Sequence, residues 1–201
     1  MSVKICRQRL PFTWEQHQQI LARMAIPTHN LWREDWPDVC VLAWHLGLRL
    51  GDICVLPWSA LNPADKTLTV YPQKRRAAKQ RLIIPMTNEV IDVLIRRKAD
   101  LDCDPESVFR RMCLDYRTAP KNISHQFCNA IKDLGFGQGY CFHSYRHSFV
   151  TRLLNAGVDH IIIGSLTGQS PGVIASYSHP SLEAKAAALE AARCQPQEAA
   201  V

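Results

Sequence analysis

A chain of 201 residues that is 47% hydrophobic and 21% charged is unlike a disordered tail, and it has enough apolar side chains for the core of one domain. Its net charge of +6 and pI near 9.0 favour a polyanionic partner. No apolar run reaches the roughly 20 residues of a membrane helix, and eight cysteines without a C-x-x-C pair argue against common zinc and disulfide frameworks.

Two helices are predicted in the first quarter of the chain. Thr13 and Gln16 have the spacing of a capping box, and helical spacing of apolar residues continues to about Ala25. A second helix is predicted to begin near Glu34, to be apolar almost all round and to end at Gly47. A short helical turn is expected to follow it.

A small antiparallel sheet with a basic hairpin is predicted next. After a connector over residues 57–63, the segment 67–71 alternates with the strand period, and the segment 81–84 is a second candidate strand. The intervening residues 72–80 are too polar for a core and predict a long basic hairpin tip. Asn88 is then predicted to cap a helix whose last turn is basic.

The remaining chain is predicted to be helical after one loop. Residues 100–120 show no clear periodicity, which predicts a loop with a short strand at Val108–Phe109. A helix over Ser124–Leu134 should end at Gly135. The further predicted helices occupy residues 144–155, 159–166, 171–178 and 182–193.

These elements predict a mainly α fold with a small antiparallel β-sheet (α+β). We expect a single domain over residues 1–201, with a core over 10–180, a C-terminal helix over 181–193 and a frayed tail over 194–201. The N-terminal sequence lacks the apolar core and cleavage site of a signal peptide. A cytoplasmic protein with reduced cysteines is therefore expected.

Several side chains match the needs of phosphodiester cleavage by a tyrosine. Such a reaction requires a nucleophile, neutralisation of the phosphate oxygens and a proton for the leaving oxygen. Arg49 and Arg146 provide guanidinium forks that match two phosphate oxygens. Tyr177 is a candidate nucleophile, because a covalent tyrosine intermediate conserves the bond energy for rejoining. Neither a metal nor another cofactor is then expected.

The order of these motifs resembles the tyrosine recombinases, also called phage integrases. Residues 47–52 read G-L-R-L-G-D and precede the basic hairpin, and residues 143–149 read H-S-Y-R-H-S-F. A Gly168-Gln169 turn and then Tyr177 complete the pattern. The resemblance covers roughly residues 10–190. Each piece alone is a weak signal, but the pieces in this order and spacing are specific.

The resemblance implies roles for the matching arginine and lysine positions. Arg49 and Arg146 would bind the scissile phosphate, and Asp52 would support the site without contacting DNA. Lys74 in the hairpin would protonate the leaving 5′ oxygen, with Lys79 as the alternative because the hairpin is long. The other hairpin residues expected to bind DNA are Arg75, Arg76, Lys79 and Arg81.

The other residues to which the resemblance gives a role are the tyrosine itself and two residues expected to act beside it. By resemblance, His143 would assist its proton transfer, and Tyr177 would attack to give a 3′-phosphotyrosine and a free 5′-hydroxyl. Gln169 stands where the family usually has histidine, sometimes tryptophan. Glutamine can donate a hydrogen bond to a phosphate oxygen, but it cannot shuttle a proton near neutral pH. The spacing from Gln169 to Tyr177 is also one residue shorter than the common pattern.

The resemblance also implies partners. Double-stranded DNA is the expected ligand, a homotetramer on DNA the expected assembly, and no membrane partner is expected. The N-terminal core-binding domain usual in the family is expected to be absent. The helix predicted over 182–193 is a candidate for docking on a neighbouring protomer, as the family tail does, or for packing on its own domain.

Other interpretations remain open at the level of sequence. Taken alone, Tyr177 is typical of a partly buried aromatic, His143 of a helix cap, and the hairpin charges of a solvated turn. The altered Gln169 supports a relative that binds DNA without cleaving it. A type IB topoisomerase-like relaxing enzyme would share the tyrosine chemistry. A helix-turn-helix regulator built on 150–168 would leave the hairpin and Tyr177 unexplained.

Overall fold

The computed structural model describes residues 9–26, 34–72, 81–100 and 103–177. Over these ranges the chain is mostly helical with one small three-stranded antiparallel sheet, which confirms the predicted fold class. None of the helices in these ranges is long and apolar enough to cross a membrane. The helices are α1 (Trp14–Ala25), α2 (Trp36–Leu46), α3 (Leu50–Cys54), α4 (Asn88–Lys98), α5 (Arg110–Thr118), α6 (Pro120–Lys132), α7 (His143–Asn155), α8 (His160–Thr167) and α9 (Pro171–Ala175).

Helix α1 begins at the predicted capping box. The Thr13 hydroxyl accepts a hydrogen bond from the Gln16 backbone N–H at 3.2 Å, and Gln16 Oε1 accepts one from the Thr13 backbone N–H at 2.9 Å. These two bonds satisfy backbone donors that the helix itself leaves unpaired. The predicted start of α1 is therefore confirmed.

Helix α2 is the central helix of the fold, as its apolar sequence predicts. Eight of its eleven residues are buried, and it packs against α1, α4 and α7. Gly47 ends it with φ of +61°, and a side chain there would place Cβ 2.4 Å from Phe149 Cδ1. Both the left-handed backbone and the contact with α7 therefore require glycine.

The sheet consists of strands β1 (Leu61–Asn62), β2 (Thr67–Val70) and β3 (Leu82–Pro85), in the order β1-β2-β3. Strands β2 and β3 pair with Leu68 opposite Ile84 and Val70 opposite Leu82, so these four apolar residues share the buried face. The two predicted strands are confirmed. Strand β1 was not predicted, because its two residues lie inside the proline-bounded connector. The hairpin tip over 73–80 lies outside the described residues.

Two predictions for the middle of the chain were wrong. The predicted loop over 100–120 contains α5, and Val108–Phe109 form a buried turn before it rather than a strand. Helix α5 buries only Met112 and Cys113, which is too few apolar positions to show a helical period in the sequence. Helix α6 starts at Pro120, four residues before its predicted start, because proline is well suited to a first helical turn.

The ends of two other helices differ from their predictions by a few residues. Thr87 rather than Asn88 is the N-cap residue of α4. Helix α9 ends at Ala175, so Tyr177 lies in the turn that follows it rather than within the helix. The predicted helix over 182–193 and the predicted tail fall outside the described residues.

The buried residues form a large cluster and a small one. The large cluster contains α2, the buried sheet face and an aromatic group in which Tyr145 contacts Phe12, Phe127 and Phe142. The small cluster consists of Val150, Ile163 and Ile174, with Tyr177 packed against it. Helix α7 contributes to both clusters. The segment that carries Tyr177 is therefore attached to the rest of the fold through α7 and α8.

A buried histidine on α1 helps to hold α7 in place. His17 is 1% exposed, stacks on Trp44 with ring centroids 4.5 Å apart, and places Nδ1 3.2 Å from the Tyr145 hydroxyl. Burial, together with the positive charges of His45 and Arg152, lowers the pKa of His17 to about 4. The neutral ring is therefore the form that the folded protein accommodates.

This histidine should make stability depend on pH. Because its folded pKa lies below its unfolded value, its contribution is complete above about pH 6.5 and is lost as the pH falls towards 4. We expect this one group to lower the free energy of unfolding by roughly 3 kcal/mol over that window. Urea unfolding at several pH values should show a flatter dependence for His17→Phe than for the unsubstituted protein. If the free energy of unfolding changed equally with pH in both proteins, titratable groups other than His17 would be responsible for the pH dependence.

Candidate active site

Arg146 is the buried centre of the candidate site. It lies in the first turns of α7 and is 1% exposed. Its Nη1 donates a hydrogen bond to the Gly47 carbonyl at 3.0 Å, and its Nη2 donates one to the Thr167 carbonyl. These bonds join α7 to the end of α2 and to the end of α8. Three separate motifs of the sequence are thereby brought to one place.

Arg49 approaches the same place from α3. It is the N-cap residue of that helix, and its side chain is 26% exposed. Its Nη1 lies 3.9 Å from Asp52 Oδ2, and the Asp52 side chain is only 3% exposed. Residues three apart on a helix face each other, so Asp52 can orient Arg49 while the guanidinium remains accessible. Gly47, two residues earlier, accepts the bond from Arg146 and links the two arginines.

His143 is the first residue of α7 and is half-buried. Burial is the main cause that lowers its pKa to about 4, and the positive charges of Arg9, Arg146 and Arg49 and the His147 ring act in the same direction. The imidazole is therefore neutral near pH 7. A neutral histidine among arginines can accept a proton from a reacting group.

Tyr177 and Gln169 are in direct contact. Helix α8 ends at Gly168, which has φ of +67°, and the chain then turns so that Gln169 Nε2 donates to the Tyr177 hydroxyl at 3.1 Å. A donor at this position holds the hydroxyl oxygen in place. Oε1 of Gln169 is buried and has no hydrogen-bond partner among the described side chains and backbone.

His147 is a site residue that the sequence interpretation missed. Its ring lies against that of Tyr177 with centroids 4.6 Å apart and planes at 60°. Burial lowers its pKa, and its buried Nδ1 makes no hydrogen bond to any described residue. The available signal was its position four residues after His143, which places both histidines on one face of α7.

The structure brings six of the predicted site residues together around the N-terminal half of α7. Arg81 is exposed immediately before β3, at the base of the hairpin. The other predicted hairpin residues, Lys74, Arg75, Arg76 and Lys79, lie outside the described part of the chain. The residues brought together are Arg49, Asp52, His143, Arg146, Gln169 and Tyr177.

No group of three or more His, Cys, Asp or Glu side chains suited to a metal ion occurs within the described ranges. The groups assembled here are instead two arginines with the buried Asp52, a neutral histidine and a tyrosine. Such a set can bind an anionic ester and supply an oxygen nucleophile.

Comparison with known proteins identifies the family. The model of the phage integrase family matches residues 12–181. Tyrosine recombinase XerC of Chlamydia caviae is 23% identical over 183 residues, which is 87% of this chain and 56% of that protein. The chain spans about half the length of the curated relatives it matches.

Solved structures share the fold. The Tn1549 transposon integrase in complex with a circular intermediate DNA superposes with a TM-score of 0.72 at 18% identity, over 94% of this chain and 68% of that one. The catalytic domain of bacteriophage HP1 integrase superposes with a TM-score of 0.65 at 17% identity, over 91% of this chain and 95% of that one. With a family match over most of its length and this fold, the chain belongs to the phage integrase family of tyrosine recombinases.

Proposed function

We propose that this chain carries the catalytic centre of a site-specific DNA recombinase that cleaves and rejoins strands through a 3′-phosphotyrosine. The observation that carries the proposal is the contact of the Tyr177 hydroxyl with Gln169, in a turn tied through Thr167 to buried Arg146. Family membership and relatives named as tyrosine recombinases support the same reaction class.

In the proposed cleavage step, the Tyr177 oxygen attacks the scissile phosphorus. A bond forms from this oxygen to phosphorus, and the bond from phosphorus to the 5′ oxygen breaks. Arg49 and Arg146 neutralise the non-bridging oxygens, where charge is concentrated in the transition state. The tyrosine proton passes to a neutral histidine, and the leaving 5′ oxygen takes a proton from a hairpin lysine, Lys74 or Lys79.

Two histidines could receive the tyrosine proton. His143 matches the family position, and the pKa of about 4 keeps it neutral. His147 has its ring against Tyr177 and is also kept neutral by a lowered pKa. We assign the role of accepting the Tyr177 proton to His143, because His143 occupies the family position, and we regard His147 as the group that orients the tyrosine ring. Rejoining follows by the reverse step, in which a 5′-hydroxyl attacks the phosphotyrosine.

The proposed ligand is double-stranded DNA, bound by the basic hairpin and the two arginines. Solved neighbours, including the Tn1549 integrase, were determined with DNA bound. Because phosphate contacts would dominate, affinity should fall steeply as the salt concentration rises. A tetramer on DNA and a cytoplasmic location are part of the same proposal.

Covalent trapping tests this function. The protein is incubated with nicked suicide duplexes taken from the DNA that flanks its gene, and the products are separated in denaturant. A protein band linked to DNA would support the proposal. Binding without any linked band, also in a longer protein that includes the residues around this chain, would instead favour the DNA-binding module. Relaxation of plasmids that lack a recombination site would favour the topoisomerase-like enzyme.

Gln169 gives the binding-only alternative its support and can be tested directly. Gln169→Leu removes the donor to the Tyr177 hydroxyl, and we expect the rate of adduct formation to fall about 10- to 100-fold. Gln169→His keeps a donor and should retain or raise the rate. Ser170→Ala is the control, since Ser170 is exposed next to Gln169 and makes no side-chain capping bond. An unchanged rate in Gln169→Leu would show that this contact does not serve cleavage.

A further inference from the structure

Tyr116 on α5 packs the end of its side chain against the backbone of α3. A Cβ atom built on Gly51 would lie 2.2 Å from the Tyr116 hydroxyl oxygen and 2.6 Å from Cζ. Real Cβ atoms do not approach other atoms this closely. Gly51 has an ordinary helical backbone, so it is the tip of Tyr116 that fills the space a side chain would occupy here, and any larger residue would displace Tyr116.

The contact between Tyr116 and Gly51 affects α3, a helix whose stability depends on tertiary contacts. Helix α3 has five residues, and a helix of this length is not stable without tertiary contacts. Its N-cap residue is Arg49 and its first turn contains Asp52, the buried carboxylate beside that arginine. Any rotation or shift of α3 would therefore move Arg49 relative to Arg146. Helix α5 is one of the elements packed against α3.

Tyr116 and Asp52 also line one cleft, which has a volume of about 580 Å³. Burial raises the pKa of Tyr116, and the nearby groups Cys54 and Asp52 raise it further. The Tyr116 hydroxyl therefore keeps its proton near neutral pH. A buried carboxylate is stable only among polar groups, and a protonated hydroxyl on the same wall is suited to that role.

We propose that Tyr116 is a positioning residue for Arg49, acting on α3 through its contact at Gly51 and through Asp52. The inference rests on the proposed function, because it assigns to Arg49 the scissile phosphate. In this role Tyr116 does not touch DNA. Its hydroxyl holds the first turn of α3 in place, and Asp52 transmits that placement to the guanidinium. Small misplacements of a positioning group can cost large factors in rate while leaving binding intact.

The first test is Tyr116→Phe, which removes the hydroxyl and keeps the ring. In single-turnover trapping on the nicked suicide duplex, we expect adduct formation to slow about tenfold, with DNA affinity and Tm close to those of the unsubstituted protein. Tyr140→Phe is the matched control. Tyr140 is also a half-buried tyrosine with a hydroxyl contact, to Gln16 at 3.4 Å, but it lies in the aromatic cluster. That variant should form adduct at the unsubstituted rate.

The second test separates positioning from general packing. Asp52→Asn is combined with Tyr116→Phe, and the two single variants are measured in parallel. If Tyr116 acts through Asp52, the hydroxyl loss should cost much less in the Asp52→Asn background than alone. Equal losses in both backgrounds, or a slower rate that only accompanies a lower Tm, would overturn the inference.

The two proposals fail in different ways. If the unsubstituted protein forms no adduct, the proposed function fails and the role of Tyr116 falls with it. If the unsubstituted protein and Tyr116→Phe form adduct at the same rate, the proposed function stands and only the role of Tyr116 is rejected.

Discussion

Replacing Tyr177 with phenylalanine is expected to abolish the covalent protein–DNA adduct. The substitution removes only the attacking oxygen, so the rate should fall by at least about 1,000-fold, to the limit of detection. The ring should keep its place against His147 and the small cluster of Val150, Ile163 and Ile174. We therefore expect DNA affinity within about threefold of the unsubstituted protein. The measurement is the yield of DNA-linked protein in denaturant, beside a mobility-shift titration.

The control is again Tyr140→Phe, which removes a hydroxyl outside the site and should leave the adduct yield unchanged. An adduct that persists in Tyr177→Phe would mean that another tyrosine is the nucleophile. Tyr145 is 0% exposed and could not reach a phosphate without unfolding of the core. Peptide mapping of the DNA-linked fragment would then distinguish the remaining tyrosines.

Replacing Arg146 with lysine should be the second most damaging change. Lysine keeps the charge but cannot reach the Gly47 and Thr167 carbonyls with one planar fork. Each charge-assisted bond contributes about 1.5–3 kcal/mol, so we expect the free energy of unfolding to fall by about 2–4 kcal/mol. Loss of the guanidinium N–H donors proposed to serve the phosphate should slow adduct formation by about 100-fold or more. Urea unfolding and single-turnover trapping measure the two effects separately.

Arg152→Lys is the matched control for this prediction. Arg152 lies on the same helix, donates to the Trp44 carbonyl and places its guanidinium 4.0 Å from the Trp44 ring centroid. Arg152→Lys should lower the free energy of unfolding by about 1–2 kcal/mol and leave the rate of adduct formation nearly unchanged. If Arg146→Lys and Arg152→Lys slow the reaction equally, stability rather than phosphate binding would explain the loss in Arg146→Lys.

The structural role of Arg146 and its proposed chemical role are connected. Its two backbone bonds join the segments that carry Arg49 and Gln169, so the residue that would bind phosphate also helps to assemble the site. A guanidinium suits this because its five N–H donors lie in one plane and can serve several acceptors at once. This explains why a charged side chain is tolerated at 1% exposure.

Local patterns determined much of the fold. The capping box at Thr13 and Gln16, the apolar α2, the alternation in β2 and the apolar run of β3 depend on residues within a few positions of one another, and these elements were predicted. Helix α5 was not predicted, because only two of its residues are buried and the local sequence therefore shows no helical period of apolar residues. The types and order of Arg49, Arg146 and Tyr177 identified the family before any geometry was known, and the family match confirmed it.

Only the tertiary structure decided which side chains meet. The Arg146 bond to Gly47 joins residues 99 positions apart in sequence, and nothing in either local segment specifies that the two residues meet. The ring contact of His147 with Tyr177 and the close approach of Tyr116 to Gly51 likewise depend on how separate helices pack. Residue types determine what chemistry is available, because that is a property of each side chain. Packing decides which groups act together, because it is a property of the whole fold.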